Sequence, residues 1–358
     1  MSKLRVGIIG TGGIAHSHLN SYKTIEEVEV VAGCDIVPGK SQEFFKRNGF
    51  PNAQGFDSKE EMLKNVKLDA VSVCTYNSTH SECAVFALEN GLHVLLEKPM
   101  SVTLEQTIAM LKAEKKSGKI LTVGFQPRYD VNSQKVKEII QSGALGKLYY
   151  VQTGGGRRRG MPGGTFISKE KAGVGCLADI GCYALDFALN SIGYPKPLTV
   201  SAVAYDYFGK KEFGDEFGVD DFSAAFVRLE GGITLDFRMS WAMHMDTTGD
   251  FIFLGTEAGL KIKQPNLALW GGAWDGPIGE IRLMHDVFGK PTETLIPLDD
   301  NRGPGLFEKK VRAFVDAVIN GKKPPIPTSQ IVYNQAIIDG IQRSNKAGKE
   351  VDVVIENI

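Results

Sequence analysis

The passage from Leu4-Arg5-Val6-Gly7-Ile8-Ile9 into Gly10-Thr11-Gly12-Gly13-Ile14-Ala15 restricts the architecture more than any other stretch. An apolar strand that runs without a spacer into Gly-x-Gly-x-x-Ala, and from there into a helix, is a β-turn-α unit. In it Gly10 permits the tight turn, Gly12 lets another molecule approach the backbone, and small Ala15 lets helix and strand pack closely. The amino end of such a helix attracts anions. The glycines alone would suit a bare structural turn, but Asp35 closes the next apolar run 20 residues beyond Ala15. A carboxylate there accepts hydrogen bonds from a ribose diol and repels a 2′-phosphate. Gly10, Gly12, Gly13, Ile14 and Asp35 are therefore expected to hold a dinucleotide, NAD in preference to NADP. Lys40 is the one nearby cation that can reverse that preference.

The first third of the chain goes on alternating apolar strands with helical spacing. Strands are expected at 4–9, 28–34, 70–75, 93–96 and 120–124, with helices at 82–90, stopped by Gly91, and 104–116. Alternation of this kind implies a parallel sheet covered on both faces, and right-handed crossovers leave the doubly wound topology. After Gly124 the pattern changes to strands at 148–153, 222–229, 233–239 and 250–254, with Gly231-Gly232 as a hairpin signal. The expected fold is α/β: a doubly wound domain over 1–125, then an α+β domain over 126–358 with a large open, mainly antiparallel sheet. Helices at about 305–346 are expected to pack back on the first domain. A chain of 358 residues is long enough for two cores.

Composition narrows the function classes. A formal net charge of -1 leaves no electrostatic footprint for nucleic acid or an anionic membrane. No apolar run approaches the ~20 residues of a membrane span, so a cytoplasmic protein is expected. The five cysteines, Cys34, Cys74, Cys83, Cys176 and Cys182, are odd in number and lack CxxC spacing, which reads as buried thiols. His16 and His18 are two apart on a helix and diverge, so no metal site is expected.

Several residues carry possible chemistry. Glu97-Lys98-Pro99 closes the apolar run His93-Val94-Leu95-Leu96, placing an ammonium at the carboxyl edge of the sheet, where open α/β sheets bind ligands. Asn77 and His80 follow the preceding strand and are candidate cofactor contacts; Asn77 otherwise caps the next helix, and His80 suits packing better than catalysis. A helix over 176–192 would carry Asp179, Tyr183 and Asp186 at i, i+4 and i+7 on one face, costly to bury without a purpose. Residues 154–164 hold six glycines and three arginines, Arg157, Arg158 and Arg159. They read as a mobile loop whose arginines, Arg158 among them, can fork onto an anionic group. Gln126 and Arg128, just beyond the last strand of the first domain, are candidate substrate contacts. Trp241, Trp270 and Trp274 suit packing better than sugar stacking.

The glycine turn, Glu97-Lys98-Pro99 and the run Gly173 to Asp186 together resemble the Gfo/Idh/MocA family, as do Gly255-Thr256-Glu257-Ala258-Gly259 and the closing helices. The resemblance implies a Rossmann domain and an NAD(P)-dependent oxidoreductase of sugars, glycosides, cyclitols or similar polyols. The nicotinamide would lie between the two domains. It also implies a homodimer or homotetramer formed through the second domain's sheet. Lys98 matches the family's lysine that contacts the reacting oxygen, with Glu97 beside it on the cofactor side, and Asp179 matches the aspartate of the substrate helix. Tyr183 departs from the pattern, since most members have histidine there; tyrosine is similar to the glucose-fructose oxidoreductase and dimeric dihydrodiol dehydrogenase branches.

Histidine, with a reference pKa near ~6.5, accepts a proton at neutral pH and tyrosine at ~10 does not; bringing a phenol to ~7 needs roughly 4 kcal/mol of phenolate stabilisation. The Lys98 ammonium and an oxidised nicotinamide have the right sign. Tyr183 is then expected to exchange the hydroxyl proton while Lys98 holds the oxygen and Asp179 orients Lys98 or a substrate hydroxyl. Lys98 as the base itself is the competing assignment. Two further classes share the framework: a non-enzymatic cofactor sensor, and a glycosidase that uses bound NAD for transient oxidation at C3.

Overall fold

The computed structural model describes residues 3–245, 248–263, 279–300 and 302–356. The chain forms two compact units: the first runs to Phe125 and includes Pro304–Val332, and the second joins Gln126–Gly303 to the chain from Tyr333 onward.

The first unit is built on six parallel strands, β1 (Leu4–Ile9), β2 (Val28–Cys34), β3 (Gln54–Phe56), β4 (Ala70–Val73), β5 (His93–Leu96) and β6 (Leu121–Val123). Their order is β3-β2-β1-β4-β5-β6. That order reverses between β1 and β4, and ligands of doubly wound sheets sit beyond the strand ends at such a reversal. One helix crosses between each consecutive pair: α1 (Gly13–Lys23), α2 (Lys40–Arg47), α3 (Lys59–Asn65), α4 (His80–Glu89) and α5 (Leu104–Ser117). Thr103 and Gln106 form a capping box that starts α5, and Gly118 ends it in the left-handed conformation. Val6, Ile8, Leu19, Tyr22 and Phe45 are packed together with Val311, Phe314 and Val315 of the late helix Leu306–Ile319 in one core.

Among the described residues the second unit holds nine strands: β7 (Leu148–Gly156), β8 (Pro197–Tyr205), β9 (Phe222–Leu229), β10 (Ile233–Ser240), β11 (Phe251–Gly255), β12 (Ala258–Ile262), β13 (Ile281–Val287), β14 (Lys290–Ile296) and β15 (Val351–Asp352). In the order β14-β13-β12-β11-β7-β10-β9-β8-β15, every neighbouring pair is antiparallel except β7 with β10. The turn between β9 and β10 uses Gly231 and Gly232 at φ 81° and 79°. Alternate residues of β9, Ser223, Ala225, Val227 and Leu229, are buried while those between them are not, the pattern of a sheet covered on one face. The helices are α6 (Val131–Gln141), α7 (Lys169–Ala172), α8 (Cys176–Asp179), α9 (Gly181–Ser191) and α10 (Tyr207–Phe213). The chain closes with α11 (Leu306–Ile319) and α12 (Thr328–Ala347).

Two local expectations are corrected. Gly154, Gly155 and Gly156 are strand rather than loop, paired with Arg238, Met239 and Ser240. A Cβ on Gly154, at φ 140°, would stand 1.8 Å from the Arg238 carbonyl oxygen, so glycine serves a close strand contact there. The expected continuous helix over 176–192 is broken at Ile180, where φ is −109°, into α8 and α9. All five cysteines are buried. Among the described residues, no single helix is long and apolar enough to cross a membrane.

Candidate active site

At the end of β1, Gly10 adopts φ 88°, and a Cβ there would meet the Cys74 carbonyl oxygen at 2.8 Å. Gly12 is the N-cap of α1 and no side chain caps it. A Cβ on Gly12 or Gly13 would meet nothing within 4 Å, and Gly13 and Ile14 are exposed. The helix thus opens to solvent with backbone N–H groups free of side-chain acceptors, an arrangement that suits a pyrophosphate. Asp35 stands beside the turn: its Oδ2 accepts from Thr11 N at 2.9 Å, Thr11 Oγ1 at 2.8 Å and Lys40 Nζ at 2.9 Å, and its Oδ1 from Val37 N at 3.1 Å. Burial opposes its charge, but the Lys40, Thr11 and Val37 donors outweigh burial and hold the carboxyl below its ordinary range. Lys40 is therefore paired with Asp35. Ile36 and Val37, 77% and 50% exposed, form an apolar shelf next to Asp35 that the strand pattern did not single out.

Where β5 ends, Glu97 is only 4% exposed. Its Oε1 accepts from His18 Nε2 at 2.8 Å and Lys310 Nζ at 2.7 Å, and its Oε2 faces Lys98 N at 3.3 Å. Burial opposes ionisation, yet the Lys310 charge and the His18 hydrogen bond hold the carboxyl far below its usual range. Glu97 is thus tied to His18 and Lys310 through one oxygen. Lys98 itself is half-buried, and the Lys98-Pro99 peptide is cis. His80, also expected on the cofactor side, is buried with Nδ1 donating to the Pro99 carbonyl at 2.8 Å, while its Nε2 has no hydrogen-bond partner. Burial lowers its pKa and favours the neutral ring. Asn77 opens the half-buried turn Asn77–Thr79 ahead of α4.

In the second unit, Tyr183 is buried near the start of α9, and Gln126 Nε2 donates to its phenol oxygen at 3.0 Å. Asp179, at the end of α8, accepts from the indole of fully buried Trp241 at 3.0 Å. Asp186 does not join them. Its carboxylate takes Arg128 Nε at 2.9 Å and Arg128 Nη2 at 2.7 Å, and also accepts from the Tyr194 hydroxyl. The Arg128 side chain is 10% exposed and braces α9. The break at Ile180 separates Asp179, on α8, from Tyr183 and Asp186, which share α9 but turn to different partners. Arg158 is exposed, and its carbonyl receives Arg159 Nη1 at 2.6 Å. Half-buried Arg157 instead lies within electrostatic reach of Asp179; burial lowers its pKa, and the Asp179 charge opposes that shift. Trp270 and Trp274 lie outside the described residues.

A doubly wound sheet with an open, glycine-lined helix end beside a buried carboxylate is the framework of a dinucleotide-dependent oxidoreductase. Residues 4–125 match the oxidoreductase family with an NAD-binding Rossmann fold, and residues 133–261 match the GFO/IDH/MocA C-terminal domain. The chain belongs to the GFO/IDH/MocA oxidoreductase family. It is 31% identical to D-glucoside 3-dehydrogenase of Escherichia coli (strain K12) over 98% of both chains. It is 26% identical to scyllo-inositol 2-dehydrogenase (NAD(+)) of Bacillus subtilis (strain 168), over 96% of this chain and 94% of that one. Levoglucosan dehydrogenase solved in complex with NADH matches with a TM-score of 0.81 at 21% identity, over 99% of this chain and 100% of that one. At that identity the likeness is one of fold.

Proposed function

We propose that this enzyme oxidises a secondary hydroxyl of a glucoside, or of a closely related sugar or cyclitol, using NAD. The observation that carries the reading is the end-to-end similarity to D-glucoside 3-dehydrogenase. NAD, when bound, supplies the acceptor for the hydride leaving the carbinol carbon. The amino end of α1 holds the anionic phosphates and Asp35 accepts from the ribose diol. Lys98 holds the reacting oxygen. Tyr183, whose phenol oxygen lies against the Gln126 amide, takes the hydroxyl proton. Asp179, fixed by the Trp241 indole, accepts from a second sugar hydroxyl. Exposed Val203, Tyr205 and Phe226 on the open sheet face suit association with a second copy of the chain.

The test is a panel of alkyl glucosides, free sugars and inositols offered with NAD or NADP, following the reduced cofactor. Turnover of a glucoside with NAD is expected. If no polyol reduces either cofactor and no ketone oxidises the reduced forms, the proposal fails.

A further inference from the structure

The two neighbours of Lys98 are each held by a buried histidine. His18 binds Glu97 and His80 binds the Pro99 carbonyl, both at 2.8 Å. Glu97 has an additional partner on the same oxygen, Lys310, which is carried by α11 and lies 213 residues away in sequence. Lys310 is 2% exposed, and its ammonium stands 3.4 Å from the centre of the Phe307 ring. A Cβ on Gly124 would come within 3.0 Å of that ammonium, so the space around it is tight. Behind His18 the hydrogen bonds continue from Nδ1 to Ser72 Oγ at 3.0 Å and on to the Tyr22 hydroxyl at 2.8 Å. A neutral His18 that donates through Nε2 to Glu97 accepts from Ser72, which accepts from Tyr22, so one consistent direction satisfies the whole chain of groups.

A buried ion pair is a poor device for stability, because desolvation offsets its attraction and an apolar pair of similar volume often holds a fold as well. What this pair does is fix the residue that precedes Lys98 and shares a contact with its backbone N–H. We propose that Lys310 is a positioning residue for Lys98, acting with His18 through Glu97 to set the turn that carries the lysine. The inference rests on the role of Lys98 in the proposed function.

The charged and titratable groups that act on Glu97 or His18 are Lys310 from α11, the two residues themselves, Cys74 after β4, His80 from α4, and Tyr22 at the end of the hydrogen-bond chain. Burial first, and then the Lys310 charge, keep His18 neutral against the pull of Glu97. While Lys310 is present, Glu97 is ionised across the working range. In Lys310→Met the only cation that can balance Glu97 is a proton shared within the His18–Glu97 pair. Below the pKa of that pair the turn keeps its geometry; above it an uncompensated buried carboxylate remains.

The test is single-turnover hydride transfer at saturating cofactor across pH, with NADH affinity measured in parallel. Lys310→Met is expected to lower the rate about 10- to 100-fold through misplacement, to leave NADH affinity unchanged, and to add an alkaline limb in which rate falls as pH rises. A wild-type rate and pH profile, or a loss of rate matched by an equal loss of NADH affinity, overturns the proposal. If Lys310→Met does not fold, the double variant Lys310→Met/Glu97→Gln leaves no unpaired charge. It is expected to bind NADH and turn over slowly without the new limb, and a full rate there overturns the proposal equally. Lys98→Met separates the two levels: a full rate in it defeats the site assignment, whereas an inactive Lys98→Met beside a wild-type Lys310→Met defeats this inference alone.

Discussion

At the scale of the residue, the proposed reaction divides the proton chemistry between Tyr183 and Lys98, and the phenol is the more demanding of the two because its reference pKa lies well above neutrality. In Tyr183→Phe, single-turnover hydride transfer is expected to fall by about 10²- to 10⁴-fold, the usual worth of a positioned general base. The rate should also lose its dependence on an ionisation that Lys98→Met retains in shifted form. A Tyr183→Phe variant with full rate and an unchanged pH profile gives the base to Lys98. Residues whose roles depend on their own backbone were readable from the sequence: Gly10 needs φ 88° and close approach to Cys74, and Asp35 ends a strand beside the glycine turn. Residues whose roles depend on a distant partner were not. Arg128 reads as a candidate substrate contact, and only the fold brings Asp186, 58 positions on, to its Nε and Nη2. Glu97 reads as a candidate cofactor contact, and only the fold brings Lys310 to it. Arg157 and Arg158 are adjacent in sequence, and only the folded turn decides which of them is drawn toward Asp179.

Among the elements, the broken helix is the most instructive. Helical spacing over 176–192 is real, but Asp220 grips the start of α8 through Gly175 N at 2.8 Å and Leu177 N at 3.0 Å, and the chain bends by 45° at Ile180 before α9 begins. A Cβ on Gly181, the first residue of α9, would stand 2.9 Å from the Phe237 ring, so α9 sits close on β10. Neither constraint is local, which is why periodicity alone extended the helix through the break. The Arg128–Asp186 pair then ties α9 to the segment after β6. Arg128→Met should destabilise the protein by about 3 to 5 kcal/mol in denaturant unfolding, because it leaves a buried carboxylate uncompensated. Arg128→Met/Asp186→Leu should recover most of that loss. If the single variant is as stable as wild type, the brace is not structural and a substrate role for Arg128 returns.

For the molecule as a whole, the doubly wound class of the parallel sheet followed from alternation and handedness, since each crossover joins elements close in sequence, whereas the short edge strand β3 was not among the expected strands. The nine-stranded sheet was legible only as a mainly antiparallel class. Its one parallel pair brings Tyr150 to Gly156 of β7 against Thr234 to Ser240 of β10, and no pattern within either strand specifies that partner. The exposed face bearing Val203, Tyr205 and Phe226 sets a prediction about assembly: Phe226→Lys should lower the oligomer mass measured by light scattering while the isolated chain stays folded. An unchanged mass would place the contact elsewhere.

Hydride transfer from a sugar carbon to NAD is the centre of the account, and isotope transfer tests it most directly. With an alkyl glucoside deuterated at C3 and NAD in excess, one deuterium is expected in the reduced nicotinamide for each keto-glucoside formed. Cleavage of the glucoside with no net reduced cofactor, or formation of no ketone from this or any related polyol, would contradict it.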